Sequence, residues 1–253
     1  MRFIRYQTEE KSPRYGWILD DKIGDIEGDL FGEFRRLDAT TPIDEVTLLA
    51  PSQPSKILCV GRNYAAHAKE HNAEIPELPL IFHKPPSALL NPNDTIILPH
   101  QSQQVEHEAE LVVVIGKRGR NIIAEEAKEY ILGYSIGNDV TARDLQRADR
   151  LWTRGKGFDT FAPLGPWIDT EFDPSDAVIT CRVNGQMHQM ASTRDMIFSV
   201  STIIAFISSV MTLEAGDLIY TGTPAGVSPL ENDDVVSVDI EGLGVLSNPV
   251  RRI

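Results

Sequence analysis

Residues 105–116 read VEHEAELVVVIG, a stretch that begins with alternating acids and ends in a run of branched apolar residues. The run from Leu111 to Ile115 predicts a buried strand, because it is short, continuous and rich in valine. Side chains alternate across a strand, so we expect Glu108 and Glu110 on the same side, about 7 Å apart along the chain. Buried like charges are costly unless a cation lies between them, although an isolated E-x-E more often marks a solvated strand edge.

A third carboxylate follows a second predicted strand. Asp139 lies in YSIGNDVTARD, at the loop end of that strand, where ligand groups commonly emerge. If the two strands are neighbours, Glu108, Glu110 and Asp139 form an all-oxygen cluster. Hard cations prefer such ligands, so we expect Mg²⁺, with Mn²⁺ or Ca²⁺ as alternatives. Glu106 has the same parity but lies nearer the strand's start, where we expect solvent, and His107 is expected on the opposite face.

Composition excludes several classes of partner. Of 253 residues, 42% are hydrophobic and 24% charged, which suits one large domain, with or without a small appendage. The net charge of −13 disfavours nucleic acid and anionic membranes as partners. MRFIRYQTEE lacks the apolar core of a signal peptide, and Cys59 and Cys181 are expected to be reduced core thiols. These features predict a cytoplasmic protein.

Strand candidates outnumber helix candidates and do not alternate regularly with them, which predicts an α+β fold. Residues 1–52 are expected to form a small β-rich N-terminal domain, and a linker rich in Pro and Ser precedes a second domain, residues 55–253. ITCRVNGQMHQM predicts a hairpin around its Asn-Gly pair, and EEAKEYILG a helix with a glycine stop. The uncharged residues 196–213 predict a buried amphipathic helix rather than a membrane span.

Six blocks occur in order along the second domain: GRNYAAHAKEH, VEHEAELVVVIG, GYSIGNDVTARDLQ, GKGFDTFAPLGPW, VNGQMHQ and DLIYTGTPAGVS. Together they closely resemble the fumarylacetoacetate hydrolase superfamily over residues 55–253, in particular its acylpyruvate hydrolases and 2-hydroxyhepta-2,4-diene-1,7-dioate isomerases. The resemblance implies layered mixed β-sheets with a few helices, a small N-terminal domain found in some members, a homodimer, and one divalent metal per active site. It also implies that Glu108, Glu110 and Asp139 are the metal ligands, in agreement with the strand argument.

The resemblance implies catalytic roles for His67, Glu70 and Lys156. His67 and Glu70 are three residues apart on one helix face, so the carboxylate can orient the imidazole as a water-activating base. Lys156 can stabilise an oxyanion or enolate. Without the resemblance, a surface ion pair and a solvated loop lysine are the simpler interpretations. The resemblance further implies that the segment carrying His67 is a mobile lid that can lie far from the metal.

Five residues are expected to contact or shape the substrate pocket. The resemblance suggests that Thr223 binds a substrate carboxylate, while Arg62 and Tyr64 shape the pocket, Tyr64 through packing or a polar contact. Arg143 and Gln146 are further candidates for substrate contacts. Arg143 could instead pair locally with the aspartate that follows it.

A 2-oxo acid can chelate such a metal through its carboxylate and keto oxygens, which stabilises an enolate at C3. We expect hydrolysis of a C–C bond of an acylpyruvate-type 1,3-diketo acid, because both His67 and Glu70 are present. Isomerisation of 2-hydroxyhepta-2,4-diene-1,7-dioate and decarboxylation of oxaloacetate are alternatives on the same site. A non-catalytic metal-binding scaffold is the alternative from another class. Phosphoryl transfer is disfavoured, because the sequence has no Walker-type loop.

Overall fold

The computed structural model describes residues 1–9 and 11–252 and shows the expected α+β fold, in which strands predominate. The strands are β1 (Arg2–Thr8), β2 (Lys11–Leu19), β3 (Lys22–Gly28), β4 (Phe34–Pro42), β5 (Thr47–Leu49), β6 (Ile57–Gly61), β7 (Leu80–Lys84), β8 (Leu89–Leu90), β9 (Ile96–Leu98), β10 (Val105–Glu106), β11 (Ala109–Ile115), β12 (Ile131–Asn138), β13 (Thr141–Ala142), β14 (Ala162–Asp169), β15 (Val178–Val183), β16 (Gln186–Ser192), β17 (Leu218–Tyr220), β18 (Val235–Ile240) and β19 (Gly244–Arg252). The α-helices are α1 (Ala65–Glu70), α2 (Arg143–Asp149), α3 (Thr153–Lys156) and α4 (Val200–Val210). Short 3₁₀ helices lie at Ile43–Glu45, Pro86–Ala88, Ala124–Tyr130 and Thr193–Asp195.

The valine-rich strand β11 lies at the centre of the largest sheet, and all seven of its residues are buried. It pairs antiparallel with β12 on one side and with β17 on the other. Leu111, Val113 and Ile115 face one hydrophobic cluster, while Val112 and Val114 face a second. A strand covered on both faces needs apolar residues at every position, which explains the unbroken run.

The N-terminal strands extend this same sheet. Its order is β4-β3-β2-β1-β14-β12-β11-β17-β6-β7, with β5 added to β1 and β8 to β14. The junction is the antiparallel pair of β1 and β14, in which Arg2 lies opposite Asp169. The predicted division into residues 1–52 and 55–253 stays a prediction, and hydrogen bonds of one sheet run across it.

A second sheet, ordered β16-β15-β18-β19-β9, covers one face of β11 through the first hydrophobic cluster. The predicted hairpin is confirmed: β15 and β16 pair around Asn184 and Gly185, whose φ angles are 51° and 80°. Two positive φ angles are those of a type I′ turn, which asparagine and glycine tolerate. Cys59 and Cys181 are buried and free.

Two helix predictions need correction in extent. The uncharged segment contains a buried helix, but α4 spans only Val200–Val210. Ser199 is its N-cap, and the Ser199 Oγ accepts from the Thr202 amide. EEAKEYILG forms 3₁₀ helix only to Tyr130, and its last residues belong to β12. Gly133 lies inside β12 and is therefore not a helix stop. The position is occupied by glycine because a Cβ there would lie 2.5 Å from the Asp169 carbonyl oxygen. Among residues 1–9 and 11–252, no helix has the length and apolarity needed to cross a membrane.

The stretch that reads as one strand is two strands. β10 pairs with β13, and β11 pairs with β12. The change of partner occurs at Glu108, whose amide donates to Asn138 Oδ1 and whose carbonyl accepts from the Asp139 amide, both at 2.9 Å. These two hydrogen bonds brace Glu108 against Asp139 and so position the carboxylates of the site.

Candidate metal and active site

The three predicted metal ligands lie together. Glu108, Glu110 and Asp139 are all buried, and each offers an oxygen atom within 4.8 Å of the other two. The juxtaposition follows from the pairing of β11 with β12, in which Ala109 lies opposite Asn138. Carboxylates that are adjacent and buried form an all-oxygen site of the kind that hard divalent cations occupy.

Three buried cations surround this cluster. Lys156 Nζ donates to Glu108 Oε2 at 2.7 Å and to Asp139 Oδ2 at 2.6 Å. Lys84 Nζ donates to the other oxygen of Asp139, and Arg143 Nη2 to the other oxygen of Glu108. Burial alone would raise the pKa of Glu108, but Lys156 and Arg143 hold that pKa well below its usual range. Glu108 and Asp139 therefore face cations on both carboxylate oxygens.

Glu110 is the member of the trio without such a partner among the described residues. Its Oε2 accepts only a backbone hydrogen bond, from the Gly222 amide at 2.8 Å. Burial, together with the neighbouring carboxylates of Asp139 and Glu108, raises the pKa of Glu110 well above its ordinary value. Arg143 is shared with Glu106, so four buried acids face three buried cations, and a divalent cation between Glu108, Glu110 and Asp139 would supply positive charge beside Glu110. The residues present fit such an ion.

The T-G-T segment after β17 is bound to the same strand. Thr221 Oγ1 donates to the Leu111 carbonyl at 2.9 Å, which fixes the backbone beside Glu110. Gly222 has a φ of 101°, and a Cβ there would lie 2.6 Å from the Cβ of Asn63, so this position requires glycine. The next residue, Thr223, is consequently buried and lines the cavity in front of the carboxylates.

Helix α1 lies over the same cavity. His67 is buried, lines the cavity with the three acids, and approaches Glu70 at 3.4 Å between Nδ1 and Oε2. Glu70 accepts in turn from the Gly226 amide, at 3.1 Å to Oε1. Burial lowers the pKa of His67, so its imidazole is neutral near pH 7. The expectation that His67 lies far from the acids is therefore not what the structure shows.

Arg143 connects the acids to helix α2. Its Nε donates to Glu106 and its Nη1 to Gln146, each at 2.7 Å. The expectation that Glu106 is solvated is wrong: it is 4% exposed, because β10 runs beneath α2 and Arg143 covers its carboxylate. A local pair between Arg143 and Asp144 is also wrong, since Asp144 instead accepts from the Ser102 hydroxyl.

Of the two residues predicted to shape the pocket, Arg62 lines the cavity and Tyr64 does not. Arg62, with a φ of 57°, lines the cavity as expected. Tyr64 is buried and pairs through its backbone with Met196, and it is not among the side chains that line the cavity. Of the two predicted roles of Tyr64, packing and a polar contact, the structure therefore shows packing behind the residues that line the cavity.

Sequence reasoning missed four residues near the carboxylates. His71 lines the cavity four residues after His67, and that helical spacing was a usable signal. Phe82 and Lys84 lie two apart on β7, and Trp152 lies four residues before Lys156, but none of these segments carries a motif that points to the carboxylates. Phe82 and Trp152 pack edge to face at 5.0 Å between ring centroids, with Lys156 Nζ 5.1 Å from the Phe82 ring. This aromatic wall lowers the local dielectric and strengthens every charge interaction inside.

The cavity has a volume of about 60 Å³, which is room for an ion with its water rather than for a large ligand. A substrate of several carbon atoms would extend from this volume towards the opening of the cavity. The lining residues are Val60, Gly61, Arg62, His67, His71, Phe82, Glu108, Glu110, Asp139, Arg143, Gln146, Trp152, Lys156 and Thr223.

Two family models match the chain. Residues 56–251 match the model described as "Fumarylacetoacetate (FAA) hydrolase C-terminal", and residues 1–51 match "Rv2993c-like, N-terminal". Among curated relatives, an uncharacterized protein of Methanocaldococcus jannaschii is 54% identical over 199 residues, covering 79% of this chain and 84% of its own length. The mitochondrial oxaloacetate tautomerase FAHD2B of Bos taurus is 46% identical over 222 residues, covering 83% of this chain and 71% of the relative.

Solved structures of other proteins are similar to this chain over most or all of its length. The 5-carboxymethyl-2-hydroxymuconate delta-isomerase of Mycobacterium smegmatis is 44% identical with a TM-score of 0.94, covering 100% of both chains. The fumarylpyruvate hydrolase of Pseudomonas aeruginosa, in complex with Mn²⁺ and pyruvate, is 36% identical with a TM-score of 0.76, covering 82% of this chain and 92% of that one.

Proposed function

Since the chain belongs to the fumarylacetoacetate hydrolase family, we propose that it is a divalent-metal-dependent enzyme that hydrolyses a C–C bond of an acylpyruvate-type 1,3-diketo acid. The observation that carries the proposal is that the cavity lined by the carboxylate trio is also lined by His67, which Glu70 contacts from outside it. The trio is Glu108, Glu110 and Asp139. The trio suits a hard cation, and the His67–Glu70 pair suits a base that activates water.

Glu108, Glu110 and Asp139 would hold the cation, for which we propose Mg²⁺, with Mn²⁺ or Ca²⁺ as alternatives. The Pseudomonas aeruginosa relative was solved with Mn²⁺ and pyruvate, which supports a divalent ion and a 2-oxo acid at this site. When bound, such a cation accepts the carboxylate and keto oxygens of a 2-oxo acid and polarises the ketone. The remaining chemistry belongs to the side chains around it.

His67 is placed to take a proton from water. If its Nδ1–H donates to Glu70, its Nε2 is left unprotonated and can act as the base. Its lowered pKa keeps that nitrogen free at neutral pH. Lys156 and Arg143 place positive charge beside the carboxylates, where negative charge on a substrate oxygen would be stabilised.

Two alternative reactions use the same groups. The isomerase relative supports a proton transfer on a 2-hydroxy-dienoic diacid such as 2-hydroxyhepta-2,4-diene-1,7-dioate, for which His67 needs no activated water. The relative named as an oxaloacetate tautomerase supports oxaloacetate as a substrate, on which decarboxylation is the other outcome of a polarised ketone. A non-catalytic metal scaffold would need the carboxylates but would have no use for the His67–Glu70 pair.

A panel assay tests the proposal. Acylpyruvates, oxaloacetate and a 2-hydroxy-diene diacid are followed by ultraviolet absorbance, with Mg²⁺ and then with a chelator. We expect turnover of at least one, abolished by the chelator and reduced about 100-fold or more in His67→Gln, with Mg²⁺ affinity retained. His100→Gln, at an exposed histidine, is the matched control. Turnover that survives metal removal contradicts the mechanism, and equal turnover in His67→Gln removes His67 from it. Mg²⁺ binding without turnover of any substrate in the panel favours a scaffold.

We further propose that the protein is a cytoplasmic homodimer and that its small-molecule partner is a 2-oxo acid substrate. We propose that it binds neither nucleic acid nor membranes. The net charge of −13 supports the two exclusions. Light scattering after size exclusion checks the dimer, and a mass of about one chain would contradict it.

A further inference from the structure

The VNGQMHQ block contains a buried glutamine to which the proposed reaction gives no task. Gln189 lies on β16, is 0% exposed, and points its amide at the segment that carries Thr223. A buried amide is expensive unless its hydrogen-bonding positions are used. Its partners therefore show what the residue holds in place.

The orientation of the Gln189 amide is fixed by two partners that can act in one direction only. The Ala109 backbone N–H, 3.0 Å from Oε1, can only donate. The Pro224 carbonyl, 2.7 Å from Nε2, can only accept. Oε1 is therefore the acceptor end and Nε2 the donor end, and the reverse amide orientation would break both hydrogen bonds.

This orientation decides the role of the Thr223 hydroxyl. Thr223 Oγ1 lies 2.8 Å from Gln189 Nε2, so the hydroxyl accepts from Gln189 and keeps its own proton for another partner. Within residues 1–9 and 11–252, the structure gives this hydroxyl no other hydrogen bond. Since Thr223 lines the cavity, the free proton faces the space beside the carboxylates.

The Gln189 Oε1 atom accepts a second hydrogen bond, from His107. His107 Nδ1 lies 3.0 Å from Gln189 Oε1, which already serves as an acceptor, so His107 donates there. Both acceptor positions and both donor positions of the amide are then used. Rotation would leave the Ala109 amide and the Pro224 carbonyl unpaired in the interior, which is unfavourable.

We propose that Gln189 is a positioning residue, which fixes the Thr223 hydroxyl as a hydrogen-bond donor to the carboxylate of the bound 2-oxo acid. The inference rests on the proposed function and deepens it. A donor-only hydroxyl suits an acceptor-only oxygen, so the site selects a carboxylate over the corresponding primary amide.

Calorimetry with pyruvate as the probe tests the link in the Mg²⁺-loaded protein. Gln189→Met and Thr223→Val are each expected to weaken pyruvate binding about tenfold, and the double variant no further, because both remove the same hydrogen bond. Thr223→Ser keeps the hydroxyl and should retain affinity, as should Gln186→Met at an exposed glutamine of the same strand. Unchanged binding in Gln189→Met, fully additive losses, or loss of Mg²⁺ affinity alongside pyruvate affinity would overturn the inference.

A measurement without substrate separates this inference from the proposed function. The Gln189 side-chain amide signals in a ¹⁵N–¹H spectrum are expected to shift in Thr223→Val and to stay near their wild-type positions in Thr223→Ser. If the wild-type protein binds no pyruvate, the proposed function fails, and these signals alone decide whether Gln189 donates to Thr223. The same signals decide if Gln189→Met does not fold, and absence of a shift in Thr223→Val would overturn the inference.

Discussion

The two faces of residues 106–110 are both polar and both buried, yet they are built differently. On the even-numbered face, Glu106 and Glu108 pair with arginine and lysine side chains, and Glu110 lies beside them without such a pair among the described residues. On the odd-numbered face, His107 and the Ala109 amide meet the neutral amide of Gln189. One short segment thus separates a charged cluster from an uncharged hydrogen-bond network.

The difference teaches where chemistry can occur. The neutral face is saturated, since His107 also bonds the Ser228 hydroxyl at 2.8 Å and every position of the Gln189 amide is used. Such a network fixes geometry, and what it offers a ligand is the proton of the Thr223 hydroxyl. The charged face keeps one carboxylate, Glu110, without a cation among the described residues. Binding is therefore expected on the charged face and rigidity on the neutral one.

The strongest test of the comparison removes a proposed metal ligand from the charged face. Glu108→Gln is expected to lower Mg²⁺ affinity and turnover by more than about 100-fold, beyond the loss typical of residues that only support a ligand. Calorimetry with Mg²⁺ and the panel assay measure both quantities. Glu126→Gln, at an exposed glutamate, is the control. Retention of Mg²⁺ affinity in Glu108→Gln would remove the metal site from this face.

The second test breaks the buried ion pair between Lys84 and Asp139 and leaves all the carboxylates of the site in place. Lys84→Met removes one of the two lysines that pair with Asp139, and breaking a buried pair costs about 3–5 kcal/mol of unfolding free energy, less where Lys156 still balances Asp139. Denaturation in chelator measures the loss, and Lys128→Met at an exposed lysine controls for the change of residue type. Added Mg²⁺ should restore part of the stability, because it returns positive charge to Asp139. Equal stability of Lys84→Met and the wild type would show that the charges do not depend on one another.

The sequence was sufficient for the features that a short pattern determines. The valine run predicted the central strand, and Asn184-Gly185 predicted the hairpin, because local geometry decides both. The carboxylate trio was found because parity and strand ends predict where side chains point. Whether the residues carry the assigned catalytic roles stays a prediction.

The sequence was insufficient where distant segments decide the outcome. Glu106 was expected in solvent, and only the packing of α2 against β10 reveals Arg143 above it. Gly133 reads as a helix stop, yet the close approach of Asp169 explains it. Lys84 and Gln189 each meet a partner more than 30 residues away, which no local spacing signals.

The third test concerns the neutral face and pH. Burial lowers the pKa of His107 to about 4, below the value near 6.5 of an unfolded histidine. The unfolded chain therefore binds more protons at acid pH, so the contribution of His107 is complete above pH 6.5 and is lost as pH falls towards 4. We expect the wild type to lose about 3 kcal/mol more than His107→Gln between pH 7 and 4, measured by denaturation in chelator. His100→Gln should follow the wild type, and parallel pH profiles for wild type and His107→Gln would show that His107 is not held neutral.

The smallest expected effect distinguishes two acids on the same face. Glu106 accepts from Arg143 Nε and from Gln104 Nε2, at 2.7 and 2.6 Å. Among the residues that the structure describes, it belongs to no group of side chains that could hold a metal. Glu106→Gln keeps the size of the side chain but weakens a charge-assisted hydrogen bond, so Arg143 loses part of its alignment. We expect KM to rise about threefold to tenfold, with Mg²⁺ affinity within about twofold of the wild type. A loss of Mg²⁺ affinity as large as that of Glu108→Gln would place Glu106 among the ligands. The distinction within the charged face, between the acids that hold the ion and the acid that holds Arg143, would then be wrong.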